Sequence, residues 1–141
     1  MNNSLRQYQR AAGLFFCLIG LSRCVAAADP VSPPIQFNRD VRPILSAKCF
    51  PCHGPDAATR KADLRLDDEA SVRADRDGYR ILVPGKPDDS ELVRRIVSRD
   101  DDERMPPPKA ERQLTPAEIE LLRRWVEQGG RWEKHWSFVP P

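Results

Sequence analysis

The feature that most constrains this chain is the segment KCFPCHGPD at residues 48–56, in which a histidine directly follows a pair of closely spaced cysteines. Cys49 and Cys52 are separated by two residues, so a tight turn brings both thiols to the same side of the backbone. His53 adds an imidazole beside them. Few kinds of protein site need two thiols and an imidazole packed this closely.

Three kinds of chemistry use two cysteines at this spacing. A thioredoxin-like dithiol requires a low-pKa cysteine at a helix start inside a strand-helix-strand pattern, whereas the segment upstream of Cys49 is predicted to be a helix. A structural zinc site requires four ligands. Beyond Cys49 and Cys52, the expected mature chain offers only His53 and His135. His53 is badly placed to share a tetrahedral ion with both thiolates.

The third chemistry is covalent haem attachment, whose sequence signature is C-x-x-C-H. Each cysteine can form a thioether with one vinyl group of the porphyrin, and this attachment brings the following histidine under the iron. We therefore expect Cys49, Cys52 and His53 to bind one covalent haem c, with His53 as the proximal iron ligand. The alternatives are a simple disulfide and a non-haem dithiol or zinc-binding interaction module.

A six-coordinate haem needs a second axial ligand, and methionine is the common choice in c-type electron carriers. Met105 is the one methionine after residue 1, and it lies in the polar, proline-stiffened segment ERMPPPK. A methionine that only fills a core belongs on an apolar stripe, so we predict that Met105 is the distal iron ligand. His135 is the competing ligand. A haem sensor or catalytic haem protein with an open distal site is the alternative function.

The N-terminal segment has the layout of a cleavable secretory signal peptide. Residues 1–10 are polar and basic, and residues 11–21 form an apolar run that is too short for an ordinary membrane span. Small residues at positions 26–28 provide a cleavage site. We expect residues 1–28 to be removed, which predicts a periplasmic or secreted protein whose mature chain has no membrane span.

Removal of this leader changes the charge balance and the cysteine count. It takes away three of the 23 Lys and Arg residues and none of the 21 Asp and Glu residues, which leaves 20 basic against 21 acidic side chains. The charges are interleaved rather than clustered into a basic surface, so we expect no nucleic-acid partner. Cys17 and Cys24 are also lost, and two remaining cysteines are too few for the usual disulfide framework of a secreted domain.

The rest of the chain is predicted to be an extended linker at 29–36 followed by one all-α domain at 37–141. A helix with Asn38 as its N-cap is expected to run to the cysteine motif. Asp67 or Asp68 is expected to cap a short helix, and the segments LRL and ILV are candidates for a small two-stranded ribbon. Asp77-Gly78 is a turn signal.

Two further helices are predicted after residue 90. Ser90 is the expected N-cap of the first, and its apolar stripe consists of Leu92, Val93, Ile96 and Val97. The second begins with a capping box formed by Thr115 and Glu118 and ends at Gly129. The loop at 100–113 between them carries Met105. Apolar residues expected to line the haem pocket, or simply to fill the core, are Leu45, Ile96, Ile119, Leu122 and Trp125.

With these residues in place, the chain resembles the planctomycete-type cytochrome c domain. The resemblance is carried by the segments FNRDVRPILSAKCFPCHGPD, RKADLRLD, ILVPGKPDDSELVRRI, DERMPPPK, LTPAEIELLRRWVEQGG and KHWSFVPP. It implies a mostly helical cytochrome c fold, haem attached through Cys49 and Cys52, and His53 as proximal ligand. The RMPP segment implies Met105 as distal ligand.

The sequence therefore predicts a c-type cytochrome that carries electrons rather than a catalyst in its own right. Its expected partner is a redox protein or a fused redox domain, because domains of the resembling family commonly stand at the amino end of longer proteins. Outer-sphere transfer through one haem is the expected mechanism.

Overall fold

The structure is a computed structural model that describes residues 33–133. Its regular elements are mostly helical, with one small two-stranded sheet, which agrees with the predicted helical class. In chain order they are a π-helix at Phe37–Val41, α1 at Arg42–Lys48, α2 at Phe50–His53, α3 at Glu69–Arg73, β1 at Asp75–Arg76, β2 at Tyr79–Arg80, α4 at Glu91–Val97 and α5 at Pro116–Glu127. Among the helices of residues 33–133, none has the length and apolar character needed to cross a membrane.

The first helical segment begins earlier than the sequence predicted. Gln36 is its N-cap, so Asn38 lies inside the helix and the prediction of Asn38 as the cap was wrong. The Asp40 carboxylate instead accepts a hydrogen bond from the Gln36 backbone N–H at 2.9 Å. The last hydrogen bond of the π-helix runs from the Arg42 backbone N–H to the Phe37 carbonyl, just before Pro43. Proline has no N–H with which to continue a helical ladder, so a change of helix type at this point is understandable.

The small ribbon exists, but its position differs from the prediction. β1 and β2 pair antiparallel around Asp77 and Gly78, whose φ angles are 52° and 95°. Positive φ at both central residues is the property of the turns that join two-stranded hairpins. The predicted pairing of LRL with ILV was wrong, because the backbone N–H groups of Leu66 and Leu82 bond to carbonyls in other segments.

The three helices after the cysteine motif test the predicted caps. Asp68 caps α3 by accepting a hydrogen bond from the Ser71 N–H at 3.3 Å. Ser90 occupies the N-cap position of α4, but its side chain makes no capping bond. Its buried hydroxyl instead accepts from the Val83 N–H and donates to the Lys86 carbonyl, at 2.9 and 2.8 Å. This serine therefore fixes the preceding loop.

The long helix α5 follows the prediction closely. Thr115 and Glu118 form both hydrogen bonds of the capping box. At the other end Gly129 has φ of 102°, and the N–H groups of Gly129 and Gly130 bond to the carbonyls of Val126 and Trp125. This pairing is a Schellman motif, in which glycine supplies the left-handed conformation that ends the helix.

The core lies where α5 packs against the π-helix and α4. Its buried side chains are Phe37, Val41, Ile44, Leu45, Leu66, Val72, Ile81, Leu82, Leu92, Val93, Ile96, Leu122, Trp125 and Val126. The ring of Phe37 lies 4.1 Å from that of Trp132 and 5.6 Å from that of Trp125. Val97, predicted to belong to the apolar stripe of α4, is 48% exposed instead.

Candidate functional site

The predicted haem-binding residues lie around one cavity of about 250 Å³. Cys49, Cys52 and His53 form one part of its wall, and Met105 lies in another part of the same wall. Much of the remaining lining is apolar, and it includes Leu64, Leu66, Ile81, Leu92, Ile96 and Pro106. The fold therefore brings the methionine, more than fifty residues away in the sequence, to the same space as the cysteine motif.

The cysteine motif occupies a single helical turn, α2. The His53 and Cys52 N–H groups both bond to the Cys49 carbonyl, at 2.7 and 3.1 Å. Gly54 ends the turn, and a Cβ atom at this position would lie 2.4 Å from the Phe50 carbonyl oxygen. Glycine is thus required by the close approach of two backbone segments, and this approach fixes where the histidine leaves the turn.

The segment that follows wraps back over the motif and holds its carbonyl groups. The N–H of Lys61 bonds to the Cys52 carbonyl, and the N–H of Leu66 bonds to the His53 carbonyl, both at 2.8 Å. The Arg60 guanidinium donates to the next two carbonyls along the chain, at 3.1 and 2.8 Å. Four consecutive carbonyls are therefore satisfied, which holds the turn in a defined conformation.

The two thiols differ in their surroundings. Cys49 is half-buried, whereas Cys52 is exposed. Burial raises the pKa of Cys49 to about 12, although the charge of Lys48 acts in the opposite direction. A thioredoxin-like dithiol needs a cysteine with a lowered pKa. The environment of Cys49 has the opposite effect, so it weighs against the dithiol alternative.

His53 is held so that one of its two ring nitrogens is available to the cavity. Its Nδ1 is buried and has no hydrogen-bond partner among residues 33–133, which leaves Nε2 as the nitrogen that can bind a group in the cavity. Burial lowers the pKa of His53, the positive charge of Arg76 lowers it further, and the Lys61 carbonyl acts against both. The neutral imidazole favoured by this environment is the form that binds metals.

Met105 is carried by a loop that is fastened to α4. Its backbone N–H donates to the Arg95 carbonyl at 3.0 Å. The Arg95 guanidinium donates to the Glu103 carbonyl at 3.3 Å and to the Glu91 carboxylate at 2.6 Å. The side chain of one α4 residue and its main chain therefore both hold the loop against the cavity.

The apolar residues predicted for the pocket have two different locations. Ile96 lines the cavity. Leu45, Leu122 and Trp125 are buried in the core and are absent from the cavity lining, and Ile119 packs against that core. The pocket prediction was therefore wrong for these four residues, and their alternative interpretation as core residues was right.

Sequence reasoning missed the charged residues on the cavity wall, which are Lys48, Arg76, Glu91 and Arg95. Lys48 pairs with Glu118 from α5, and Glu91 pairs with Arg95 on the same helix. One signal could have located Arg76, because it directly precedes the Asp77-Gly78 turn that favours a hairpin. The pairing of Lys48 with Glu118 depends on the tertiary structure, whereas Glu91 and Arg95 are four residues apart on one helix, a spacing that favours ion pairs.

The zinc site and His135 as distal haem ligand are the two alternatives that require ligands other than the four predicted haem-binding residues. In the part of the chain that the structure describes, no group of three or more His, Cys, Asp and Glu side chains could hold a metal ion. The zinc alternative therefore finds no set of ligands there. His135, the competing distal ligand, lies outside the described residues.

The donors around the cavity fit a covalently attached haem. Two thiols lie at one helical turn, an imidazole retains Nε2, and a thioether sulfur is available from Met105, all beside a largely apolar lining. Thioether links, imidazole and methionine sulfur are the ligands of c-type haem.

Comparison with known proteins agrees with this arrangement. Residues 49–109 match the family described as planctomycete cytochrome C, and this range contains Cys49, Cys52, His53 and Met105. The match confirms the resemblance identified from the sequence, and the family implies haem c as cofactor. No curated protein and no solved structure matches the chain.

Proposed function

Since residues 49–109 match the planctomycete cytochrome C family, we propose that the chain carries electrons through one haem c. Cys49 and Cys52 attach the haem, and His53 and Met105 ligate its iron. The observation that supports this function is that all four residues line one cavity, although Met105 comes from a separate loop.

Each of these side chains has a defined role in the proposal. The Cys49 and Cys52 thiols each add their S–H across a vinyl C=C bond, so no atom is lost and no oxidant is needed. His53 binds through Nε2, because its Nδ1 is buried. When bound, the haem supplies an iron that changes between the ferrous and ferric states. Met105 sulfur favours the ferrous state relative to a second histidine.

The protein surroundings contribute exclusion of water and rigidity. Leu64, Ile81 and Ile96 give the cavity an apolar lining, which favours the state of the iron with the lower net charge. The hydrogen bonds of Arg95 fix the methionine loop. Little rearrangement is then needed when the iron changes oxidation state.

The proposal also covers location and partners. Residues 1–28 form a signal peptide that directs the chain to the periplasm or outside the cell, where haem c is attached. The electron donor or acceptor is a separate redox protein, or a redox domain fused to this module in a longer protein. The layout of residues 1–28 supports the location.

The first test is a pyridine haemochrome spectrum of protein secreted by a host that matures cytochromes c. Acid-acetone extraction before the measurement removes haem that is not covalently bound. A c-type spectrum after extraction, with one iron per chain, supports the proposal. A colourless protein with two free thiols, or with bound zinc, rejects it in favour of the interaction module.

The second test separates an electron carrier from a protein with an open distal site. Replacement of Met105 by alanine should abolish the sulfur-to-iron charge-transfer absorption of the ferric protein and lower its reduction potential. The matched variant is His135→Ala, which removes the competing ligand and should leave both properties unchanged. If the spectrum is indifferent to Met105→Ala, the methionine is not on the iron.

A further inference from the structure

One charged side chain on the cavity wall differs from the others in its partners. Lys48 and Arg95 pair with the carboxylates of Glu118 and Glu91. Within residues 33–133, Arg76 has no carboxylate partner. Its two terminal nitrogens donate to backbone carbonyls of Ala62 and Asp63, at 3.2 and 2.9 Å. The charge of Arg76 is therefore not neutralised by an acidic group.

This lack of a counter-charge is costly in the position that Arg76 occupies. The residue is only partly exposed, and its buried Nε finds no hydrogen-bond partner in the described part of the chain. A guanidinium has five N–H donors, and the bonds to the two carbonyls use one on each terminal nitrogen. Each terminal nitrogen keeps a second N–H, which could donate a hydrogen bond to an anion in the cavity.

The other groups around the cavity narrow the class of ligand. Glu91 also lines the cavity, and its negative charge would repel an anion. The cations Lys48 and Arg95 are already paired with carboxylates. Arg76 and His53 line the same cavity, so an anion bound by the guanidinium would share the space beside the proximal ligand. A ligand with an apolar body and an acidic edge matches this distribution.

We propose that Arg76 binds a propionate carboxylate of the haem held in this cavity. The inference rests on the proposed function, because it assumes that haem is the ligand. Pairs of guanidinium and carboxylate groups form short, charge-assisted hydrogen bonds. The acidic edge of the haem then lies beside β1, while the thioether links hold the macrocycle at α2.

A purely structural role for Arg76 is the competing explanation. Ala62 and Asp63, whose carbonyls it binds, have φ angles of 54° and 46°. Non-glycine residues in this left-handed region are strained, so Arg76 could serve only to hold this loop. A structural clamp would affect stability without changing the vibrations of the haem carboxylates.

The test uses resonance Raman spectra of the haem-loaded full chain, in which the propionate bending band reports hydrogen bonding. Arg76→Gln keeps donors for the loop but removes the charge. Arg80→Gln is the control, because Arg80 lies on the same hairpin, pairs with Asp75 and is absent from the cavity lining. We expect Arg76→Gln to shift the band and Arg80→Gln to leave it in place. An identical band in wild type and Arg76→Gln overturns the inference.

A crystal structure of the haem-loaded wild type decides the same question if the variant does not fold. A guanidinium nitrogen of Arg76 within about 3.2 Å of a propionate oxygen supports the assignment, and a longer separation with no contact rejects it. Failure of the proposed function has a different signature, since the wild type would then contain no covalent haem.

Discussion

The backbone N–H of Met105 donates a hydrogen bond to the carbonyl oxygen of Arg95 at 3.0 Å. The same arginine uses its side chain to bind the Glu103 carbonyl and the Glu91 carboxylate. Arg95 therefore connects the methionine loop to α4 in two ways. The position of the proposed distal ligand depends on a residue of a different element.

The first prediction concerns this connection. Replacement of Arg95 by alanine should leave covalent haem in place but reduce the fraction of protein with sulfur ligated to iron. Hydrogen bonds to charged groups contribute about 1.5–3 kcal/mol each, which is enough to release the loop in part of the population. The charge-transfer absorption of the ferric protein measures this fraction.

Arg94→Ala is the matched control for this experiment. Arg94 is adjacent and also pairs with Glu91 and Glu103, but it is exposed and does not line the cavity. Arg94→Ala should change the sulfur-to-iron charge-transfer absorption of the ferric protein much less than Arg95→Ala does. Equal effects of the two variants would contradict a specific role for Arg95.

How much of this site could be predicted from the sequence depends on the range of the interactions involved. The cysteine motif, the capping box of α5 and its glycine stop are local patterns, in which residues a few positions apart determine the geometry. The resemblance to the planctomycete-type domain was also identified from such segments. The capping box and the glycine stop agree with the structure, and the resemblance agrees with the family match.

The errors have both long-range and local causes. Nothing local shows that Trp125 belongs to the core beside Phe37 and not to the cavity, because a helical stripe indicates burial without naming the neighbour. Asn38 has the right side chain for a cap, but Pro43 and the π-helix change where the helix starts. The ribbon was placed on apolar segments, whereas the hairpin follows the Asp77-Gly78 turn.

The second prediction concerns the reactivity of the two thiols before haem is attached. At pH 8.5, an alkylating reagent should modify Cys52 before Cys49, because Cys52 is exposed. The pKa of Cys49, about 12 instead of 9.0, reduces its reactive thiolate by roughly two to three orders of magnitude relative to an unperturbed cysteine. Peptide mass spectrometry over time measures both rates.

The haem-loaded protein provides the control for this measurement. Neither cysteine should react there, because both sulfurs are engaged in thioethers. Faster modification of Cys49 than of Cys52 in the haem-free chain would contradict the burial of Cys49 and revive the dithiol alternative.

The third prediction concerns Gly54, which ends the turn that carries His53. In Gly54→Ala the new Cβ would lie 2.4 Å from the Phe50 carbonyl oxygen, so the backbone of α2 must move. Overpacking of this kind costs about 1–3 kcal/mol, and here it displaces the proximal ligand. We expect a lower ratio of haem to protein in the secreted product, measured by absorbance after extraction.

Gly78→Ala separates a displaced ligand from general strain. Gly78 has φ of 95°, but a Cβ there meets nothing within 4 Å, so the substitution costs only the backbone term of about 1–2 kcal/mol. It should lower the free energy of unfolding without reducing the haem ratio. An equal loss of haem in both variants would mean that instability alone explains the effect of Gly54→Ala.

The last prediction concerns the stability of the protein in acid. Hydrogen bonds from Arg94, opposed by burial and assisted by Arg95, hold the pKa of Glu91 below its ordinary value of 4.5. A carboxylate whose pKa is lower in the folded state stabilises the fold fully above pH 4.5, and that stabilisation is lost as the pH falls through the folded pKa. The free energy of unfolding should therefore fall on acidification below pH 4.5. In Glu91→Gln this fall should be smaller, because glutamine does not titrate.

Glu120→Gln is the control, since Glu120 is exposed on α5 and makes no ion pair with any residue from 33 to 133. Denaturant titrations of the three proteins between pH 3 and pH 7 measure the slopes, and a slope in Glu91→Gln equal to that of the wild type would contradict this assignment.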